Sequence, residues 1–179
     1  MRIVGTSLID CFELLPAIHE DRRGRFVKVF QKSELQSTGM DCCFSESYYT
    51  VSRKDVLRGL HFQIPPAACS KIVYCVHGAV WDVVLDIRKS SKTYGRYHSV
   101  ELSAHKGNGV IVAAGFAHGF LALSRGATVL YLVTAEYDAT CDAGILWNSA
   151  GIKWPVESPT ISPRDAGFVS FQEFRTPFQ

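Results

Sequence analysis

The 179-residue chain has no cysteine pair at CxxC spacing, no HxH pair, no large excess of either charge and no apolar run of bilayer length. Each absence closes a class. Without CxxC, the six cysteines (Cys11, Cys42, Cys43, Cys69, Cys75 and Cys141) do not read as a zinc knuckle. Adjacent Cys42 and Cys43 do not easily bridge each other, and Cys75 sits in an apolar run as a small hydrophobe. The sequence therefore predicts reduced thiols and a cytoplasmic protein. The histidines (His19, His61, His77, His98, His105 and His118) lack a Glu at ligand spacing, so no metal site is expected. A net charge of +2, from 19 basic and 17 acidic residues, gives no reason to invoke nucleic acid or an anionic membrane. It leaves room for a small basic pocket. The longest apolar region, from Gly109 to Leu123, contains His118 and falls short of the roughly 18 residues of a spanning helix. Asp10 and Glu13 interrupt the N-terminal apolar stretch, unlike a secretory signal. No repeat, low-complexity tract or linker is evident.

Strand signal is abundant. Residues 72–76 and 79–87, separated by His77 and Gly78, read as a hairpin with a tight turn. In the second arm Ala79, Trp81, Val83, Leu85 and Ile87 share one face, and Val80, Asp82, Val84 and Asp86 the other. Both faces are mostly apolar, as in a strand enclosed by another sheet. Further short strands are expected at 97–102, 109–112, 119–123 and 128–134, and residues 25–30 and 44–52 also read as extended. Helical periodicity is weak. One short helix is expected near 33–39. Another turn is expected near 162–165, with Ser162 as N-cap and Pro163 as first helical residue. Many short strands predict an all-β, antiparallel jelly roll with short peripheral helices, in one domain over residues 1–179.

The segment Arg58-Gly59-Leu60-His61-Phe62-Gln63 mixes a cation, a base and an amide with apolar residues. Arg58 can hold a phosphate bidentately, and His61 can move a proton near neutral pH. The plainer reading is a strand end whose polar residues face water. His61 and Gln63 share a parity, so an inward His61 would lie in a partly dry cavity. Arg58 has the other parity and reaches that cavity only through a bulge or a strand end. Lys71, in phase with Val73 and Cys75, either snorkels to water or turns inward to stabilise an enolate oxygen. His118, flanked by Gly119, lies either in a structural turn or beside a ligand. Tyr131 shares a face with Val129 and Val133, as a core residue or a proton donor. Tyr137 packs or touches ligand. Asp165 can accept a hydrogen bond from His61 and raise its basicity, and Asp82 is a rival for that place.

An ordered set of motifs adds to this. Asp21-Arg-Arg-Gly-Arg-Phe26, Val56-Leu-Arg-Gly-Leu-His-Phe-Gln63, Lys71-Ile-Val, Gly115-Phe-Ala-His-Gly-Phe120, Leu130-Tyr131, Ile145-Leu-Trp-Asn148 and Ile161-Ser-Pro-Arg-Asp-Ala166 occur in sequence between about residues 20 and 168. Together they resemble dTDP-4-dehydrorhamnose 3,5-epimerases and their relatives. The resemblance implies a cupin-type jelly roll, usually a homodimer, without metal or organic cofactor, acting on a nucleotide-diphosphate 4-keto-6-deoxysugar. It implies His61 as general base, Asp165 as its dyad partner, Lys71 at the oxyanion and Tyr131 as proton donor. Arg23, Phe26, Glu46, Tyr48, Arg58, Gln63, His118, Tyr137, Asp142 and Arg164 fall at positions that bind the nucleotide sugar or support the site. Arg23 and Phe26 would reach the neighbouring subunit's site. The N-terminal arm (about 1–30) and the C-terminal tail (about 151–179) would pack on the barrel or on the partner.

Four residues depart from the family pattern, in three segments. Glu46 and Tyr48 stand where Gln and Asn are common, Lys28 replaces a glutamate, and Leu132 replaces a lysine. These leave open a dTDP- or CDP-linked substrate and inversion at C3, C5 or both. The expected activity is epimerisation by proton removal and return through an enolate. The alternatives are a 3,4-ketoisomerase on the same scaffold and a non-catalytic sugar-nucleotide-binding cupin.

Overall fold

The computed structural model describes residues 1–39 and 41–179. Thirteen strands are described: β1 Arg2–Gly5, β2 Cys11–Leu15, β3 Ile18–Asp21, β4 Gly24–Val27, β5 Glu46–Arg53, β6 Leu57–Gln63, β7 Lys71–His77, β8 Ala79–Asp86, β9 Tyr97–Ser103, β10 Gly109–Val112, β11 Phe116–Ala122, β12 Gly126–Val133 and β13 Asp142–Gly144. The helices are α1 Lys32–Leu35, continued by a 3-10 turn Gln36–Thr38, and α2 Pro163–Ala166. One sheet has the order β1-β2-β10-β7-β12-β5, the other β13-β6-β11-β8-β9, and β3-β4 forms a separate ribbon. The strand pairs within these sheets are antiparallel, as a jelly roll requires.

The central strands of both large sheets are buried on two faces. Val73, Cys75, Val129 and Val133 of one meet Val80, Val84, Phe116 and Phe120 of the other. Behind β6, β8 and β11, the outward residues Leu60, Phe62, Val83, Leu85 and Ala117 pack under Trp154, Phe171, Phe174 and Phe178 of the tail. Behind β7 and β10, Ile72, Tyr74 and Ile111 pack against Phe30, Phe44 and Leu35. Strands covered on both sides read as near-continuous apolar runs, which explains the two apolar faces of β8.

That same burial misleads about the hairpin. Strands β7 and β8 belong to different sheets and do not pair; β7 pairs with β10 and β12, and β8 with β11 and β9. The His77-Gly78 junction is a corner where the chain crosses between sheets. Gly78 has φ +74°, and a Cβ there would collide with the Gly126 carbonyl. Periodicity reports which faces are buried, not which neighbour covers them. The N-terminal strands β1 to β3 are also absent from the sequence expectation; all are short, and β1 and β3 are largely exposed. At α2, the Ser162 hydroxyl accepts from the Asp165 N–H at 3.0 Å and Pro163 opens the helix, as expected.

Strand β6 carries the feature that shapes the site. His61 faces His118 and Arg58 faces Phe120, so three steps on β6 span two on β11. The extra residue makes a bulge at Gly59, with φ +139°. It brings Arg58 to the same interior as His61, which strict alternation forbids. A Cβ at position 59 would stand 2.6 Å from the Gly119 Cα. Gly59→Ala is therefore expected to cost about 2 kcal/mol in denaturant unfolding. A loss below about 0.5 kcal/mol would show that the bulge does not need glycine.

Candidate active site

The inter-sheet space opens into two adjoining cavities. The outer one, about 320 Å³, is lined by Glu46, Tyr48, His61, Gln63, Cys69, Lys71, Tyr137, Asp142 and Arg164 among others. The inner one, about 220 Å³, is lined by Tyr48, Thr50, Arg58, His61, Lys71, His118, Tyr131 and Arg164. His61 and His118 come from paired strands of one sheet, and Lys71 and Tyr131 from paired strands of the other.

His61 is held from behind. Its Nε2 lies 3.0 Å from Asp165 Oδ1, and Arg164 Nη2 approaches the same nitrogen at 2.8 Å. A guanidinium only donates and a carboxylate only accepts, so Arg164 suits a lone pair on this nitrogen and Asp165 suits an N–H there. With Nε2–H donated to Asp165, the lone pair sits on Nδ1. Asp165 Oδ2 also accepts the Gly59 N–H at 3.1 Å. Asp82, the rival partner, instead receives His118 Nε2 at 2.9 Å, inside the same interior.

Burial opposes charge on Asp165, but hydrogen bonds from His61, the Gly59 amide and Ser162 outweigh it and hold the carboxyl well below its usual range. Burial is also the main influence on His61, aided by the Arg164 and Lys71 cations, and it lowers the imidazole below its ordinary value despite Asp165. The ring is thus neutral at pH 7 and available as a base. Lys71 is 7% exposed and turns inward, donating to the His61 carbonyl at 3.3 Å. Snorkelling is not its conformation, and burial lowers its ammonium pKa. Burial, with Tyr48 and Asp82 nearby, raises the Tyr131 phenol well above normal.

Other expected site residues have structural partners too. Arg58 Nε donates to Ser52 Oγ at 3.0 Å. Gln63 lines the cavity, but its amide binds the Ala67 and Glu136 carbonyls and the Asp138 N–H, fixing two loops. Glu46 accepts the Tyr137 N–H at 2.8 Å, and Asp142 accepts Arg164 Nη1 at 2.6 Å. Arg23 and Phe26 do not line these cavities. They lie on the β3-β4 ribbon, with Arg23 paired to Asp21 and Phe26 59% exposed. Sequence reasoning missed Thr50 and Cys69. Thr50 shares the parity of Tyr48, which was the available signal, whereas Cys69 lies outside any strand. Among the described residues, no three His, Cys, Asp or Glu side chains come together to hold a metal ion, and no helix is long and apolar enough to cross a membrane.

Asp165 has a folded pKa below its unfolded value of about 3.9, so its stabilising effect is full above that pH and fades as pH falls through the folded value. The stability gap between the wild type and Asp165→Asn is expected to be wide at about pH 7 and to narrow toward about pH 3 in urea titrations. A constant gap would contradict a depressed carboxylate.

Residues 5–173 match the family model described as dTDP-4-dehydrorhamnose 3,5-epimerase. The enzyme of that name from Shigella flexneri is 40% identical over 174 residues, covering 96% of each chain. A dTDP-6-deoxy-D-glucose-3,5-epimerase from Legionella pneumophila, solved with dTDP-4-keto-L-rhamnose, superposes with TM-score 0.93 at 32% identity, over 97% of this chain and 94% of that one. ChmJ, a 3′-monoepimerase from Streptomyces bikiniensis solved with dTDP-quinovose, gives TM-score 0.88 at 32% identity, over 93% and 86%. With an antiparallel cupin-type jelly roll and a match along nearly its whole length, the chain belongs to the dTDP-4-dehydrorhamnose 3,5-epimerase family.

Proposed function

We propose that the protein epimerises a dTDP-linked 4-keto-6-deoxyhexose at C3, C5 or both. The observation that carries this reading is the placement of His61 and Tyr131 on opposing sheets, lining one small cavity. The C4 carbonyl acidifies the C–H bonds at C3 and C5. Neutral His61 takes one of these protons on Nδ1, and the electron pair moves to the carbonyl oxygen as an enolate. Lys71 and Arg58 offer positive charge to that oxygen and to the diphosphate. Tyr131 gives a proton to the carbon from the other face, inverting it; solvent then reprotonates the phenolate and takes the proton from the His61 imidazolium. The diphosphate attracts Arg164, half exposed at the cavity mouth, away from His61 Nε2 and leaves that proton to Asp165.

The names of the relatives favour dTDP over CDP. Both 3,5-epimerases and a 3′-monoepimerase are among them, so the inverted carbon is read by experiment. We further propose one folding unit, acting as a homodimer in the cytoplasm. Exposed Phe26 on the ribbon and exposed Tyr49 and Val51 on edge strand β5 support a partner surface, and the buried Cys11, Cys75 and Cys141 thiols suit a reducing compartment.

Incubation with dTDP-4-keto-6-deoxyglucose in D2O tests the activity. Deuterium is expected at C3, C5 or both of an inverted product. His61→Ala should slow exchange by about 100-fold or more, and Tyr131→Phe should slow inversion more than exchange. A 3-keto product would instead indicate ketoisomerisation, and wild-type rates in both variants would refute the assigned roles.

A further inference from the structure

Tyr48 is the cross-strand partner of Tyr131, directly opposite it on the edge strand β5. The two rings stack, with centroids 4.8 Å apart and planes at 20°. On another side the His118 ring meets Tyr131 edge-on at 6.0 Å, and His118 is itself fixed by Asp82. Tyr131 is only 6% exposed while Tyr48 is 39% exposed, so Tyr48 lies between the inner phenol and the cavity mouth. It lines both the outer and the inner cavity. Thr50, two residues along β5, places a buried hydroxyl without a hydrogen-bond partner in the same inner cavity. The Tyr131 ring thus meets aromatic rings on two sides, Tyr48 by stacking and His118 by its edge.

We infer that Tyr48 is a positioning residue that holds the Tyr131 ring by stacking and thereby sets whether an enolate is inverted or returned to its starting configuration. This rests on the epimerase reading above. An enolate formed by His61 has two possible fates. His61 can return a proton to the face it came from, which in D2O labels the substrate without changing its configuration. Tyr131 can instead deliver a proton from Oη to the opposite face, forming the new C–H bond and leaving a phenolate. The second route depends on the position of one ring, and misplacement by about 1 Å costs on the order of 100-fold. The first route does not involve Tyr131. The ratio of label in unchanged substrate to label in inverted product therefore reports where the phenol stands. A general loss of folded protein lowers both routes and leaves the ratio alone.

The experiment measures that ratio by NMR with dTDP-4-keto-6-deoxyglucose in D2O for the wild type, Tyr48→Ala and Tyr48→Phe. Removing the ring in Tyr48→Ala is expected to raise the ratio by about 10- to 100-fold. Tyr48→Phe keeps the stack and should hold the wild-type ratio. If Tyr48→Ala lowered exchange and inversion in equal proportion, or if Tyr48→Phe raised the ratio as far as Tyr48→Ala, positioning by stacking would be overturned. Absence of all exchange in the wild type would overturn the epimerase reading and this inference with it.

Discussion

One carboxylate ties the fold to its site. Asp165 accepts the Gly59 amide from the β6 bulge and the His61 imidazole from the same strand, while its own backbone N–H is capped by Ser162 at the start of α2. A buried anion is tolerated only where donors replace the water it has lost. Here those donors come from the strand that carries the base, and the carboxylate comes from the C-terminal segment. Chain separated by about a hundred residues is thereby locked at one point, and the His61 ring is held against it.

The jelly roll then supplies the stereochemistry. Inverting a carbon requires a base on one side and an acid on the other, and two facing sheets offer two sides without further invention. Lys71 spans the gap by donating to the His61 carbonyl, which sets its ammonium beside that strand inside the same cavities. The same dryness acts in opposite senses on the two groups, lowering the imidazole and raising the phenol. At neutral pH the first is free to accept a proton and the second still holds one.

Much of this was legible in the sequence because it depends on local pattern. Strand parity put His61 and Gln63 on one face, which the fold turns inward, and a Ser-Pro sequence marked the start of α2. That Arg58 needs a bulge or a strand end to join them also followed from parity, and the fold supplies the bulge at Gly59. Long-range pairing was not legible. Nothing local separates β7 from β8 into different sheets, because both are apolar on two faces whichever neighbour covers them. The choice between Asp165 and Asp82 had the same character. Both are inward carboxylates, and only the tertiary arrangement gives one to His61 and the other to His118. Gln63 was placed correctly at the cavity, yet its amide is engaged with loops that no sequence spacing announces.

The most direct test of the central claim is a crystal structure of the protein with a dTDP-4-keto-6-deoxyhexose bound. The account requires the pyranose to lie between the sheets, with His61 Nδ1 and the Tyr131 hydroxyl each within about 3.5 Å of the same ring carbon and on opposite faces of it. A sugar lodged against only one of the two side chains, or approached by both from one face, would contradict it.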